Sequence, residues 1–144
     1  MSAVYCALVH YPVLDRRGEE VATALTNLDV HDLSRASRTY GLSGFYVVTP
    51  VEAQQKIVGA ITDHWSTGAG KDRVPERTEA LALCAPVASI DEAAERIAER
   101  EGRAPQRWVT SAREPAGARL IPWAEGRRIL ADTDVPTLIL FGTG

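Results

Sequence analysis

Five short apolar runs, separated by stretches that carry helix-cap signals, constrain this chain more than any other feature. They lie at 3–9 (AVYCALV), 44–48, 84–88, 107–111 (RWVTS) and 136–141, the last within VPTLILF. Runs apolar on consecutive positions, rather than alternating, mark strands covered on both faces, and such strands occur in parallel sheets. Helical signals fall between them. Ser89 with Glu92 forms a capping box ahead of Ile90, Ala93, Ala94 and Ile97, and Gly102 ends that segment. Thr49, Pro50 and Glu52 suggest a second box, before an apolar stripe of Ala53, Ile57, Ala60, Ile61 and Trp65. Short helices are expected near 76–83 and from Pro122 or Trp123 to Leu130. Strands alternating with helices predict an α/β fold, a five-stranded parallel sheet with right-handed crossovers. The wholly apolar last strand is expected at the centre. At 144 residues, 1–144 reads as a single domain.

Several functional classes drop out. No apolar run approaches membrane-spanning length, and the N-terminus lacks signal-peptide features, so the cytoplasm is the expected location. Cys6 and Cys84 sit in apolar runs without CxxC spacing, which argues for buried thiols and no metal. The first strand leads into HYPVLDRRG rather than GxGxxG, so a classical dinucleotide site is not expected. STGAGKDR, at 66–73, lacks the phosphate-loop spacing and reads as a flexible surface loop. The connection 13–26 has no clear structure beyond a turn at Arg16, Arg17 and Gly18. Net charge is -3, but it is uneven. Residues 91–101 carry five acids and two arginines, whereas 103–128 carry six arginines and two glutamates. A basic face for nucleic acid is therefore compatible with an acidic protein.

The densest polar cluster precedes the second strand, in NLDVHDLSRASRTYGLSGFYVVTP, from Asn27 to Pro50. It reads as a polar loop, then a short helix with Leu28, Val30 and Leu33 as apolar contacts. A left-handed Gly41 and the strand follow. His10 and Tyr11, at the end of the first strand, stand where parallel sheets build their sites, although a lone strand-end histidine is more often structural. Read from spacing alone, Arg35 is a surface cation paired with Asp29, Asp32 or another acid.

The same stretch resembles the first signature of the SPOUT, or α/β-knot, methyltransferases. In their ribose-methylating branch a loop Asn precedes an Arg-bearing helix, a Gly and a strand ending in Pro. Arg35, six residues before Gly41, occupies the place of the arginine; Asp29 stands six residues before Arg35, and Asn27 two further back. Across the chain, YCALVHYPVLDRRGE, TNLDVHDLSRASRTYG, YVVTPVEAQQKIV and PTLILFGTG resemble a small bacterial family of S-adenosylmethionine-dependent RNA methyltransferases. Its members occur alone or fused to a tRNA guanine-N1 methyltransferase.

The resemblance implies an RNA methyltransferase using S-adenosylmethionine, without metal, acting as a homodimer on tRNA or rRNA. Ribose 2'-O methylation is the expected reaction. Nucleobase methylation, or an inert RNA- or partner-binding module of the same fold, are the alternatives. It further implies catalytic roles for four residues. Arg35 would clamp a phosphate or support the acceptor oxygen, Asp29 or His31 would take its proton, and Asn27 would orient it. Ser111, Ala112 and the run Leu140, Phe141, Gly142, Thr143 and Gly144 would line the cofactor pocket. In the family FGTG opens the second cofactor loop, and the knot follows it. The expectation is that the tail forming the knot is missing from this chain.

Overall fold

The computed structural model describes residues 2–144. In chain order the elements are β1 (Val4–Val9), β2 (Val13–Leu14), β3 (Glu20–Val21), α1 (Asn27–Thr39), β4 (Gly44–Val48), α2 (Glu52–Ser66), α3 (Pro75–Leu81), β5 (Cys84–Val87), α4 (Ile90–Glu101), β6 (Gln106–Val109), α5 (Trp123–Asp132) and β7 (Thr137–Gly142). All five expected strands form one sheet in the order β5-β4-β1-β7-β6, and every pairing in it is parallel. The unread connection holds a two-stranded antiparallel hairpin, β2 with β3, and the turn between them has Gly18 at φ 78.

Register sorts the side chains into two cores. Cys6 lies level with Phe45 and Ile139, and Tyr46 with Ala7 and Ala85. One face therefore collects Cys6, Leu8, Phe45, Val47 and Cys84 against Val30 of α1, Val58 of α2 and Leu81 of α3. The other collects Tyr5, Ala7, Val9, Tyr46, Val48, Val87 and Leu138 against Ala93 and Ile97 of α4. Each fully buried Val, Leu, Ile or Phe contributes roughly 1.5–3 kcal/mol of apolar transfer, so these layers dominate the stability. Right-handed crossovers that step the same way along a sheet put their helices on the same face. The β6-to-β7 step runs in the same direction as β1 to β4. Gly126 of α5 accordingly lies beside Trp108, which is level with Ile139 and so shares the α1 face.

Several local expectations need correction. β7 lies inside the sheet, but the middle strand is β1. β7 is buried only at Thr137 and Leu138, and its far end, Phe141 and Gly142, is exposed. The polar loop before the first helix is instead its first turn. Thr26 is the N-cap, its Oγ1 accepting from the amide of Asp29 at 3.2 Å, so Asn27 and Asp29 are helical. Thr49 does not cap α2. Its amide still bonds Val87 O at 2.9 Å, which keeps it in the sheet, and the helix starts after Val51 without a side-chain cap. The buried line of α2 is rotated from the expected stripe. Val58 is fully buried whereas Ile57 is 49% exposed, and on α1 Leu28 is 73% exposed. The loop at 66–73 lies on the surface as read, all its residues exposed but one. Gly70 is buried, with its amide on His64 O at 3.1 Å, and a Cβ there would lie 2.8 Å from the Trp65 ring. The box at Ser89 and Glu92 forms as read, as do the left-handed Gly41 and Gly102.

Candidate functional site

Parallel sheets place ligands at the carboxyl ends of their strands. Here the chain leaves β1 at His10, β4 at Thr49, β6 at Thr110 and β7 at Thr143, side by side. His10 is buried, its amide bonded to Val48 O at 2.9 Å and its carbonyl accepting from the amide of Thr23 at 2.8 Å. Its Nδ1 lies 2.9 Å from Thr23 Oγ1, which also meets Thr143 Oγ1. Thr143 Oγ1 donates to Val9 O at 2.9 Å. The end of β7 is thereby tied to the end of β1 by hydroxyl groups. His10 Nε2 is buried without a partner. Burial lowers the pKa of this ring, and the negative charge of Asp29 on α1 opposes that shift.

The two segments expected at a cofactor pocket are neighbours. Thr110 donates its amide and its hydroxyl to Leu140 O, each at 3.1 Å, which sets Ser111 and Ala112 beside Phe141 and Gly142. Phe141 is 38% exposed, and the space beside Gly142 is open. A part-exposed aromatic face at Phe141, open backbone at Gly142 and the exposed hydroxyl of Ser111 suit a nucleoside with a polar tail, so these residues fit S-adenosylmethionine.

The four α1 residues separate. Successive helix positions are about 100° apart, so Asn27, His31 and Arg35 share one stripe and Asp29 lies off it, its charge acting on the His10 ring. Asn27 and His31 line a groove of about 490 Å³ with Ile57, Ala60, Ile61, His64 and Trp65. Arg35 lines a neighbouring cleft of about 230 Å³ between α1 and α3, with Arg38 and Arg77. Arg77 connects the two, its guanidinium 5.2 Å from the Trp65 ring centre, a cation–π contact. The His31 ring meets Trp65 edge-on at 6.0 Å, and its Nδ1 is buried without a partner. Burial and then the positive charge of Arg77 lower its pKa, with Asp32 opposing. Arg35 reaches Asp32 only at 4.0 Å with both side chains largely exposed, whereas Arg38 is held by Glu79.

The sequence reading noted His10 for its strand-end position without placing it among the site residues. It missed Thr23, whose only signal was a hydroxyl inside an unread connection. Cys6 and Cys84 are buried as expected, and burial pushes the Cys84 thiol up to about 12, so neither is poised as a nucleophile. No group of three or more metal-ligating side chains occurs among the described residues, and no helix there is long and apolar enough to cross a membrane.

The chain is 43% identical over 140 residues to a protein of Oleidesulfovibrio alaskensis named tRNA (guanine-N(1)-)-methyltransferase, covering 97% of this chain and 32% of that protein. It is 45% identical over 141 residues to a protein of the same name from Nitratidesulfovibrio vulgaris, covering 98% and 32%. The chain thus spans about a third of the length of these two relatives. An uncharacterized protein of Aquifex aeolicus is 33% identical over 141 residues, covering 98% of this chain and 68% of that one. Residues 3–144 match the profile of a family described as SAM-dependent RNA methyltransferase. With a match over nearly its whole length, and strand ends that suit that cofactor, the chain belongs to this family of S-adenosylmethionine-dependent RNA-modifying enzymes.

Proposed function

We propose that this chain is the methyl-transfer domain of a tRNA-modifying enzyme, a single SPOUT-type unit working as a homodimer in the cytoplasm. The observation that carries the reading is the adjacency of Ser111 and Ala112 to Leu140–Gly144, with the hydroxyl tie from Thr143 to His10 beside Asp29. Those segments would hold S-adenosylmethionine, which supplies a methyl group already activated on a sulfonium centre. Positioning then accounts for much of the rate. Asp29, half-buried at the flank of α1, is the acceptor for the proton that leaves the RNA. Arg35, almost free of its acidic neighbour, is the cation for an RNA phosphate.

Between ribose and base, the base is favoured. The two longer relatives are named for methylation at a guanine ring nitrogen of tRNA. A ring N–H also yields its proton more readily than a ribose hydroxyl, so one carboxylate is a sufficient base. The ribose reading rests on the spacing of Arg35 and Gly41. Nucleoside mass spectrometry of tRNA and rRNA from cells with and without the gene tests the proposal. Loss of one base-methylated nucleoside from tRNA is expected. Loss of a 2'-O-methylated nucleoside would restore the ribose reading, and unchanged RNA would leave the inert-module reading standing.

A further inference from the structure

The hydroxyl chain at the end of β1 fixes where its protons lie. Val9 O can only accept, so the single proton of the Thr143 hydroxyl points to it. Thr143 Oγ1 must then accept from Thr23, whose only proton is used there. A bond from Thr23 to His10 O, at 3.4 Å, would leave the close Thr23–Thr143 oxygen pair without a proton between them. Thr23 Oγ1 is consequently an acceptor toward the ring, and His10 Nδ1 carries the hydrogen. With the ring neutral, Nε2 holds a bare lone pair, and no hydrogen-bonding group among the described residues meets it. A buried acceptor without a donor is unfavourable, and a defined tautomer maintained by three residues is an unusual place to leave one.

We propose that His10 is a ligand-binding residue of the methyl-transfer site. The Thr23–Thr143–Val9 chain locks its Nδ1–H tautomer so that Nε2 accepts an N–H or O–H of a bound nucleoside. Nε2 itself is enclosed in the free chain, so a ligand lying along the exposed Gly142 and Gly144 meets it only after a local opening at the end of β1. The donor belongs either to the methyl donor's nucleoside or to a nucleotide of the RNA, which share amine and ribose hydroxyl chemistry. The inference rests on the reading that the methyl donor binds at 142–144.

The test is nitrogen NMR of protein labelled at its three histidines, with His10 assigned from the His10→Asn variant. S-adenosylhomocysteine and unmodified tRNA are titrated separately. The free protein should show a neutral ring protonated on Nδ1, and one of the two ligands should move the Nε2 resonance. His10→Asn keeps a donor near the Nδ1 position and deletes Nε2. It should hold its melting temperature but bind that ligand about tenfold more weakly, the scale of one lost hydrogen bond. Thr23→Val frees the tautomer and should weaken binding by less. An Nε2–H tautomer in the free protein overturns the proposal. So does a silent Nε2 while the wild type binds both ligands, or full affinity in His10→Asn. Failure of the wild type to bind S-adenosylhomocysteine overturns the cofactor reading instead, and the tRNA titration then decides the role of Nε2.

Discussion

His10 and His31 each bury one ring nitrogen without a partner, yet they belong to different kinds of surroundings. His10 stands at a strand end, where its amide and carbonyl are bonded to neighbouring backbone and its ring Nδ1 meets Thr23. His31 stands on a helix stripe in a groove between α1 and α2, touched by Trp65 at its edge and by the fields of Arg77, Asp32, Arg35 and His64. The first region is set by main-chain geometry and changes little without unfolding something. The second is built from side chains projecting off three helices, and is adaptable. This contrast suits a cofactor end that holds one small molecule and an outer face that meets a larger, more variable one.

The largest effect that would break this division is on Arg35. Arg35→Ala should lower methyl transfer about a hundredfold to thousandfold, or roughly 3–4 kcal/mol, if it stabilises charge in the transition state. Its exposed bond to Asp32 is so long that stability should shift within about 0.5 kcal/mol. Arg38→Ala, which removes a cation already satisfied by Glu79, should cost little activity. Equal small losses from both would make the α1–α3 face a general attractor for RNA. Single-turnover methylation assays beside thermal melts separate these outcomes.

Next comes a stability contrast between the histidines. His10→Ala strands Thr23 and opens a hole at the end of β1, and should cost about 1–3 kcal/mol. His31→Ala, in an open groove, should cost less than about 1 kcal/mol. Comparable losses in urea melts would show that the groove is as rigid as the strand end. Gly70→Ala probes the groove from behind. Its Cβ would press on Trp65 at 2.8 Å, so overpacking should cost roughly 1–3 kcal/mol. Tryptophan fluorescence should shift as the ring moves, and an unchanged melt would mean that Trp65 gives way freely.

The smallest effect is on pH. Burial lowers the pKa of both rings in the folded chain, against an unfolded value near 6.5. As pH falls through about 6.5 the unfolded chain takes up protons that the folded chain refuses, so stability is lost there and is restored above it. His31→Gln should flatten part of that slope between about pH 7.5 and about pH 5.5, leaving the share due to His10. An unchanged slope would assign the whole effect to the strand end.

Much of this was legible along the chain. Val4–Val9 and Gly44–Val48 were readable as covered strands because apolar residues occupy both of their faces. The start of α4 was readable because Ser89 and Glu92 satisfy it locally. The segments proposed for the cofactor came from resemblance, and their adjacency is a consequence of strand order. The N-terminus of α1 was misread because Asn27, Asp29 and His31 look the same in a loop or in a first turn; Thr26 decides it. On α2 the stripe was taken from Ile57 rather than Val58, since two apolar neighbours on a helix are distinguished only by what they face.

The amino-acid sequence by itself determined the five strands of the main sheet, the helices between them and the family, because apolar periodicity, caps and motif order act over a few residues at a time. Only the tertiary structure decided the partners. It set Thr143 against Thr23 across a separation of 120 positions, brought the charge of Asp29 to bear on His10, and sent Asn27, His31 and Arg35 to the grooves beside α2 and α3. Hydrogen bonds between residues so far apart depend on sheet order and helix rotation. Those follow from the packing of whole faces, to which no short stretch of sequence has access.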